Sequence, residues 1–194
     1  MLKLLIVFIC WSNLTFSQQI KEETLRYQSD LNSFYLDSKT TPLNDDELKK
    51  FKGLHFYPFN EQLIVHARLE RLENQSEFKM PTTGKKEPLY KKYGVLHFEI
   101  DGKKMQLEVY QSQDLMKRKG FETHLFLPFI DLTSGNETYG GGRYLDIEIP
   151  ENDEIILDFN KAYHPYCAYT LGYSCPITPD VNFLETEINA GVKF

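Results

Sequence analysis

Hydrophobic positions follow a helical period up to about residue 60 and a two-residue period from Leu63 onward. Ile20, Tyr27, Leu31 and Phe34 recur among charged residues, with Leu25 and Tyr35 flanking, and this spacing predicts an amphipathic helix over 20–36. "TTPL" (40–43) interrupts it. Asn44 followed by Asp45, Asp46 and Glu47 is a capped helix start, with acids where the helix dipole favours them. It predicts a short second helix that buries Leu48 and Phe51 and stops at Gly53.

Leu63, Val65, Ala67 and Leu69 then alternate with Ile64, His66, Arg68 and Glu70, the signature of a strand with one wetter face. Leu96, Phe98 and Ile100 pair in pattern with Met105, Leu107 and Val109. Asp101-Gly102 between them is a hairpin signal, because both central residues of a type I′ turn take positive φ. "HLFLPF" (124–129) is a further strand, with Pro128 pointing to an edge or a bulge. "YLDIEI" (144–149) and "IILDF" (155–159) read as a second hairpin, and "FLETEI" (183–188) as a last strand. One or two N-terminal helices (about 20–53) followed by roughly seven strands predict a mainly β, α+β fold. The expected architecture is an antiparallel β-barrel or sandwich. No linker divides 18–194, so a single domain is expected there.

The N-terminus adds a compartment. "MLKLLIVFICWSNLTFSQQ" has Lys3, an apolar run from Leu4 to Trp11, and Thr15 and Ser17 placed for a cut before Gln18. That is the layout of a secretory signal peptide over 1–17, so a secreted or periplasmic protein is expected. The run is well short of the ~20 residues a bilayer span needs, so no stable membrane span is expected after cleavage. Net charge is −6 and the basic residues are scattered, which argues against nucleic acid or an anionic membrane as partner.

Two polar clusters stand out, "DLTSGNETYGGGRY" (131–144) and the stretch from Asp158 to Asn182. The expected hairpin between them would bring Asp131, Glu137, Arg143, Asp158 and Asn160 into one patch, with Tyr139, Tyr144 and Tyr163 around it. Arg143 reads either as a ligand clamp or as the node of an internal salt-bridge network. Gly140 to Gly142 read either as amides cradling an anion or as a tight turn needing positive φ. The triplet lacks the spacing of a Walker or dinucleotide motif. Acid–base use of the carboxylates depends on a separation that spacing alone does not give.

Cys167 and Cys175 remain after signal removal, in C-x₇-C spacing with His164 just before them. A zinc site, a thiol nucleophile with a histidine base, and a disulfide are the three readings. An even count in an exported chain makes the disulfide the default. His55, His66, His97 and His124 stand singly and read as surface or capping side chains. No metal and no cofactor is required by any pattern in the chain.

"LFLPFIDLTSGNETYGGGRYLDIEI" and "ILDFNKAYHPYCAYTLGYSCPITPDVNFL" resemble the DUF1684 family, bacterial and archaeal proteins of unknown function. Weaker echoes are "FKGLHFYPFN" (51–60) and "INAG" (188–191). The resemblance implies that Asp131, Thr133, Glu137, Tyr139, Gly142 and Arg143 belong to the family pattern, as do Asp158, Asn160, Tyr163, Pro165, Cys167, Cys175 and Asn182. The chain departs from it at His164, where the family usually has Asn, and at Val192, where the family has Glu. The expected function is a ligand-binding or accessory module for a small molecule or cell-envelope component. Its candidate ligand-binding residues are Asp131, Glu137, Tyr139, Gly142, Arg143, Asp158, Asn160 and Tyr163. The rival is an enzyme: a hydrolase or thiol-dependent catalyst using Cys167 or the carboxylates, or by fold analogy a small flavin-binding barrel.

Overall fold

A computed structural model describes the backbone of residues 2–194 and the side chains of 17–194, so nearly all of the expected signal peptide lies outside the described side chains. Two helices, α1 (Leu2–Leu36) and α2 (Asp45–Lys50), precede the strands β1 (His55–Phe56), β2 (Ile64–Arg71), β3 (Glu77–Lys79) and β4 (Leu89–Ile100). They are followed by β5 (Lys103–Ser112), β6 (His124–Asp131), β7 (Arg143–Glu148), β8 (Glu154–Asp158), β9 (Phe183–Leu184) and β10 (Val192–Lys193). The main sheet runs β7-β6-β5-β4-β2-β8, with β3 beside β4. It curls until Tyr163, just past β8, exchanges backbone hydrogen bonds with Tyr144 of β7 (2.9 and 3.0 Å). The result is a curled, mainly antiparallel half-barrel with the long helix α1 against it. Among the described residues no helix is long and apolar enough to cross a membrane.

Local chemistry explains most elements. Asn44 accepts hydrogen bonds from the Asp46 and Glu47 amides while its own backbone N–H donates to the Glu47 carboxylate, a complete capping box that starts α2. That helix ends at Lys50 rather than Gly53, because Phe51 turns to extended backbone and caps it. Asp101 and Gly102 take φ of 51° and 75° and join β4 to β5 in the expected turn. Leu63, Val65, Ala67 and Leu69 all point into the principal core, as their alternation requires.

The strand partners differ from expectation. β7 pairs with β6 (Leu127 opposite Leu145, Phe129 opposite Arg143), whereas β8 pairs with β2, so the hairpin 144–159 does not form. Alternation decides which face of a strand is buried, not which neighbour it takes. Pro128 lies within the sheet, where the ladder between β5 and β6 opens. Asn182 fills the gap: its amide donates to the Pro128 (2.7 Å) and Glu108 (2.8 Å) carbonyls and accepts from Glu108 N (2.8 Å). β9 then joins β6 in parallel, at Ile130 and Asp131. The rest of "FLETEI" is irregular, although Ile188 is buried in the core.

Both faces of the sheet are apolar. Leu125, Leu127, Phe129 and Leu145 enter the principal core, while Tyr90, Tyr110, Phe126 and Tyr144 form a smaller aromatic cluster on the opposite face. Two-sided burial explains why β6 reads as an almost continuous apolar run.

Candidate functional site

Arg143 is fully buried where β7 begins. Its guanidinium donates to Asp131 Oδ1 (3.1 Å) and to the Ile188 carbonyl (2.8 Å), and also reaches the Ala190 and Val192 carbonyls. It lies 5.2 Å over the Phe129 ring. Asp131 also accepts from Ile188 N (2.8 Å) and Thr133 Oγ1 (2.9 Å). The pair therefore fixes the C-terminal segment, supplying the partners that a neighbouring strand would otherwise give. Removing either member would strand a buried charge at a cost of about 3–5 kcal/mol. Burial lowers the Arg143 pKa and the Asp131 charge opposes that shift. The ligand-anchor reading of Arg143 is thus corrected to the internal network.

Gly142 has φ of 90°, and a Cβ there would collide with the Phe129 carbonyl. The glycine serves a tight turn, not an anion cradle. Asp158 and Asn160 form a second, separate network. Asp158 Oδ1 accepts from Asn160 N (2.9 Å) and Nδ2 (2.8 Å), and Thr24 of α1 donates to its other oxygen. Asn160 exchanges two hydrogen bonds with the Asn60 backbone (2.8 and 2.9 Å) and accepts from Gln28 of α1 at 2.8 Å. Glu137 accepts from Tyr57 Oη at 2.9 Å, and Tyr139 donates its backbone amide to His164 Nε2 at 3.1 Å. The single patch expected from sequence is therefore divided. Asp131 and Arg143 hold the C-terminal segment, and Asp158 and Asn160 hold α1.

Cys167 and Cys175 stand at disulfide distance, their Cα atoms 6.3 Å apart. The paired sulfurs leave no thiolate for catalysis, and both His164 nitrogens are engaged, Nδ1 with Tyr169 Oη at 2.9 Å. Neither the zinc set nor the Cys–His pair assembles. The stapled loop instead folds over the aromatic face of the sheet. Thr83 N donates to the Cys175 carbonyl (2.9 Å), Ile177 N to the Pro81 carbonyl (2.8 Å), and Tyr144 Oη to the Pro176 carbonyl.

Between loop and sheet lies a cleft of about 430 Å³. Tyr90, Phe126 and Tyr144 floor it, and Tyr163, Tyr166 and Tyr173 through Pro176 wall it. His124 and Asp146 bring polar chemistry to this surface. Asp146 Oδ1 meets His124 Nε2 at 3.0 Å, and its Oδ2 accepts from Tyr163 Oη at 2.8 Å. The Asp146 hydrogen bond raises the His124 pKa, burial opposes it, and the Asp146 and Glu148 charges add to the rise. Burial, then Asp146, pushes the Tyr163 hydroxyl well above its usual range, so it stays a donor. His124 Nδ1 is buried and has no partner among the described residues.

Of the eight expected site residues only Tyr163 lines this cleft. His124 and Asp146 were legible only as outward positions on separate strands. The register that places Phe126 opposite Asp146 brings His124 diagonally across from it. A larger groove of about 680 Å³ runs beside Phe78, Lys92, Glu108 and Ile177. Its central charges already satisfy each other, Lys92 to Glu108 at 2.5 Å and Tyr110 Oη to Glu108 at 2.7 Å. The cleft, by contrast, draws its lining from both long sequence motifs.

The profile of a family described as "Protein of unknown function (DUF1684)" matches residues 49–193. The solution NMR structure of an uncharacterised protein of Haloarcula marismortui has the same fold, with a TM-score of 0.73 and 29% sequence identity. The match covers 93% of this chain and 97% of that one. No curated protein matches the chain.

Proposed function

The chain belongs to the DUF1684 family of proteins of unknown function, and from that premise we propose that it is an exported ligand-binding module. Its site would be the tyrosine-walled cleft beneath the stapled loop. One observation carries this reading: a cleft of binding-site size has apolar walls and one convergent polar group, Asp146 with His124 and Tyr163. The commitment of the motif carboxylates to structural partners supports binding over hydrolysis. Asp131 is spent on Arg143, and Asp158 on Thr24 and Asn160.

A fragment screen by protein NMR tests the proposal. Binders are expected to shift resonances of His124, Tyr144, Asp146 and Tyr163 together. Hits confined to the groove beside Lys92, or no hit in the cleft from a chemically diverse library, would overturn it.

A further inference from the structure

We infer that the cleft takes a neutral, hydroxyl-rich ring, a sugar unit of a glycan or oligosaccharide. This rests on the reading of the cleft as the binding site and names the class of its ligand.

Charge narrows the choice first. Asp146 is the one carboxylate of the lining, and His124 (3.0 Å) and Tyr163 (2.8 Å) already engage its two oxygens. With both oxygens committed, no free carboxylate edge is left to draw in a cation. An anion would meet Asp146 and, behind it, Glu148, whose carboxylate Thr123 also engages. A neutral ligand is left.

The walls narrow it further. Tyr144 packs T-shaped with Phe126 (centroids 4.8 Å) and with Tyr163 (5.9 Å), a buried aromatic floor beneath the rim. Tyr166 and Tyr173 at the rim are 37% and 39% exposed, aromatic area left open to solvent. A wholly apolar ligand would cover the half-exposed Asp146 carboxylate and strip its water, a desolvation cost of about 1–3 kcal/mol. The ligand must therefore be apolar on its faces and polar on its edges, as a pyranose is. A ring hydroxyl can donate to the Asp146 carboxylate in place of that water. The volume suits one or two rings, and the open rim lets a longer chain run past.

The test uses the mature chain with its disulfide intact, titrated by NMR with cellotetraose, maltotetraose and tetra-N-acetylchitotetraose. Choline and inorganic phosphate are the charged probes. At least one saccharide is expected to shift His124, Tyr144 and Tyr163 saturably, with neither charged probe doing so. Asp146→Asn and, on the exposed rim, Tyr173→Ala should each weaken that binding about tenfold, the loss of roughly one polar or stacking contact. Shifts from choline or phosphate alone would overturn the sugar class while leaving the cleft as the site. Silence from every saccharide would also overturn it, and the fragment screen then decides separately whether the cleft binds anything. Full saccharide affinity in both variants, correctly folded, would place the sugar elsewhere and defeat the inference.

Discussion

At position 164 an imidazole stands inside the second long motif, and its surroundings fix its state. The Tyr139 amide donates to Nε2, so Nδ1 holds the proton and faces Tyr169 Oη, while the ring packs 4.6 Å from that of Phe194. Burial, and after it the Arg143 charge, lowers the His164 pKa to about 3. The unfolded chain takes up a proton near pH ~6.5 that the folded chain refuses. Stability from this residue is therefore complete above that pH and is lost progressively as pH falls toward 3. His164→Asn should remove the dependence, since the amide can accept from Tyr139 N without titrating. In urea unfolding between pH 7 and pH 4, the wild type should lose more stability than the variant. Parallel losses would show that His164 is not held neutral in the native state.

Elements meet through side chains that helical or strand periodicity does not single out. Thr24 and Gln28, not a leucine, are the buried residues that strap α1 to Asp158 and Asn160, while Leu25 faces outward. The loop over the cleft depends on a covalent strap, with Cys167 and Cys175 closing a separation of eight residues. Chain entropy gives such a closure about 2–3 kcal/mol. The double variant Cys167→Ser/Cys175→Ser should lose about that much in chemical denaturation. Amide hydrogen exchange should rise across 166–176 while β4 to β6 stay protected. If stability and exchange were both unchanged, the cysteines would not brace the cleft.

For the whole molecule, export is the open proposition, and the fold is arranged compatibly with it. The buried α1 side chains that hold Asp158 and Asn160, Thr24 and Gln28, lie beyond the expected cut before Gln18, so cleavage would keep them and remove only the exposed Ser17 to Glu61 hydrogen bond among the described side-chain contacts. Expressed with its own leader in an exporting host, the protein should be recovered with a mass that starts at Gln18. Its thermal midpoint should match that of the uncleaved chain. Recovery of the uncleaved chain from the cytoplasm alone would refute export.

What the sequence determined by itself was element type and facing, because both arise over a few residues. The alternation from Leu63 to Leu69, the Asp101-Gly102 turn and the Asn44 capping box all appear in the structure where local physics places them. The long motifs likewise identified the family. Tertiary structure decided the partners. β7 and β8 went to opposite ends of the strand order, and Arg143 found its acceptors in the distant residues 188–192. The same register brought His124 and Asp146, unremarkable in their own segments, together beside Tyr163, the one expected site residue in the cleft. Strand pattern carries the face a side chain occupies, but only the assembled sheet decides which side chain stands across from it.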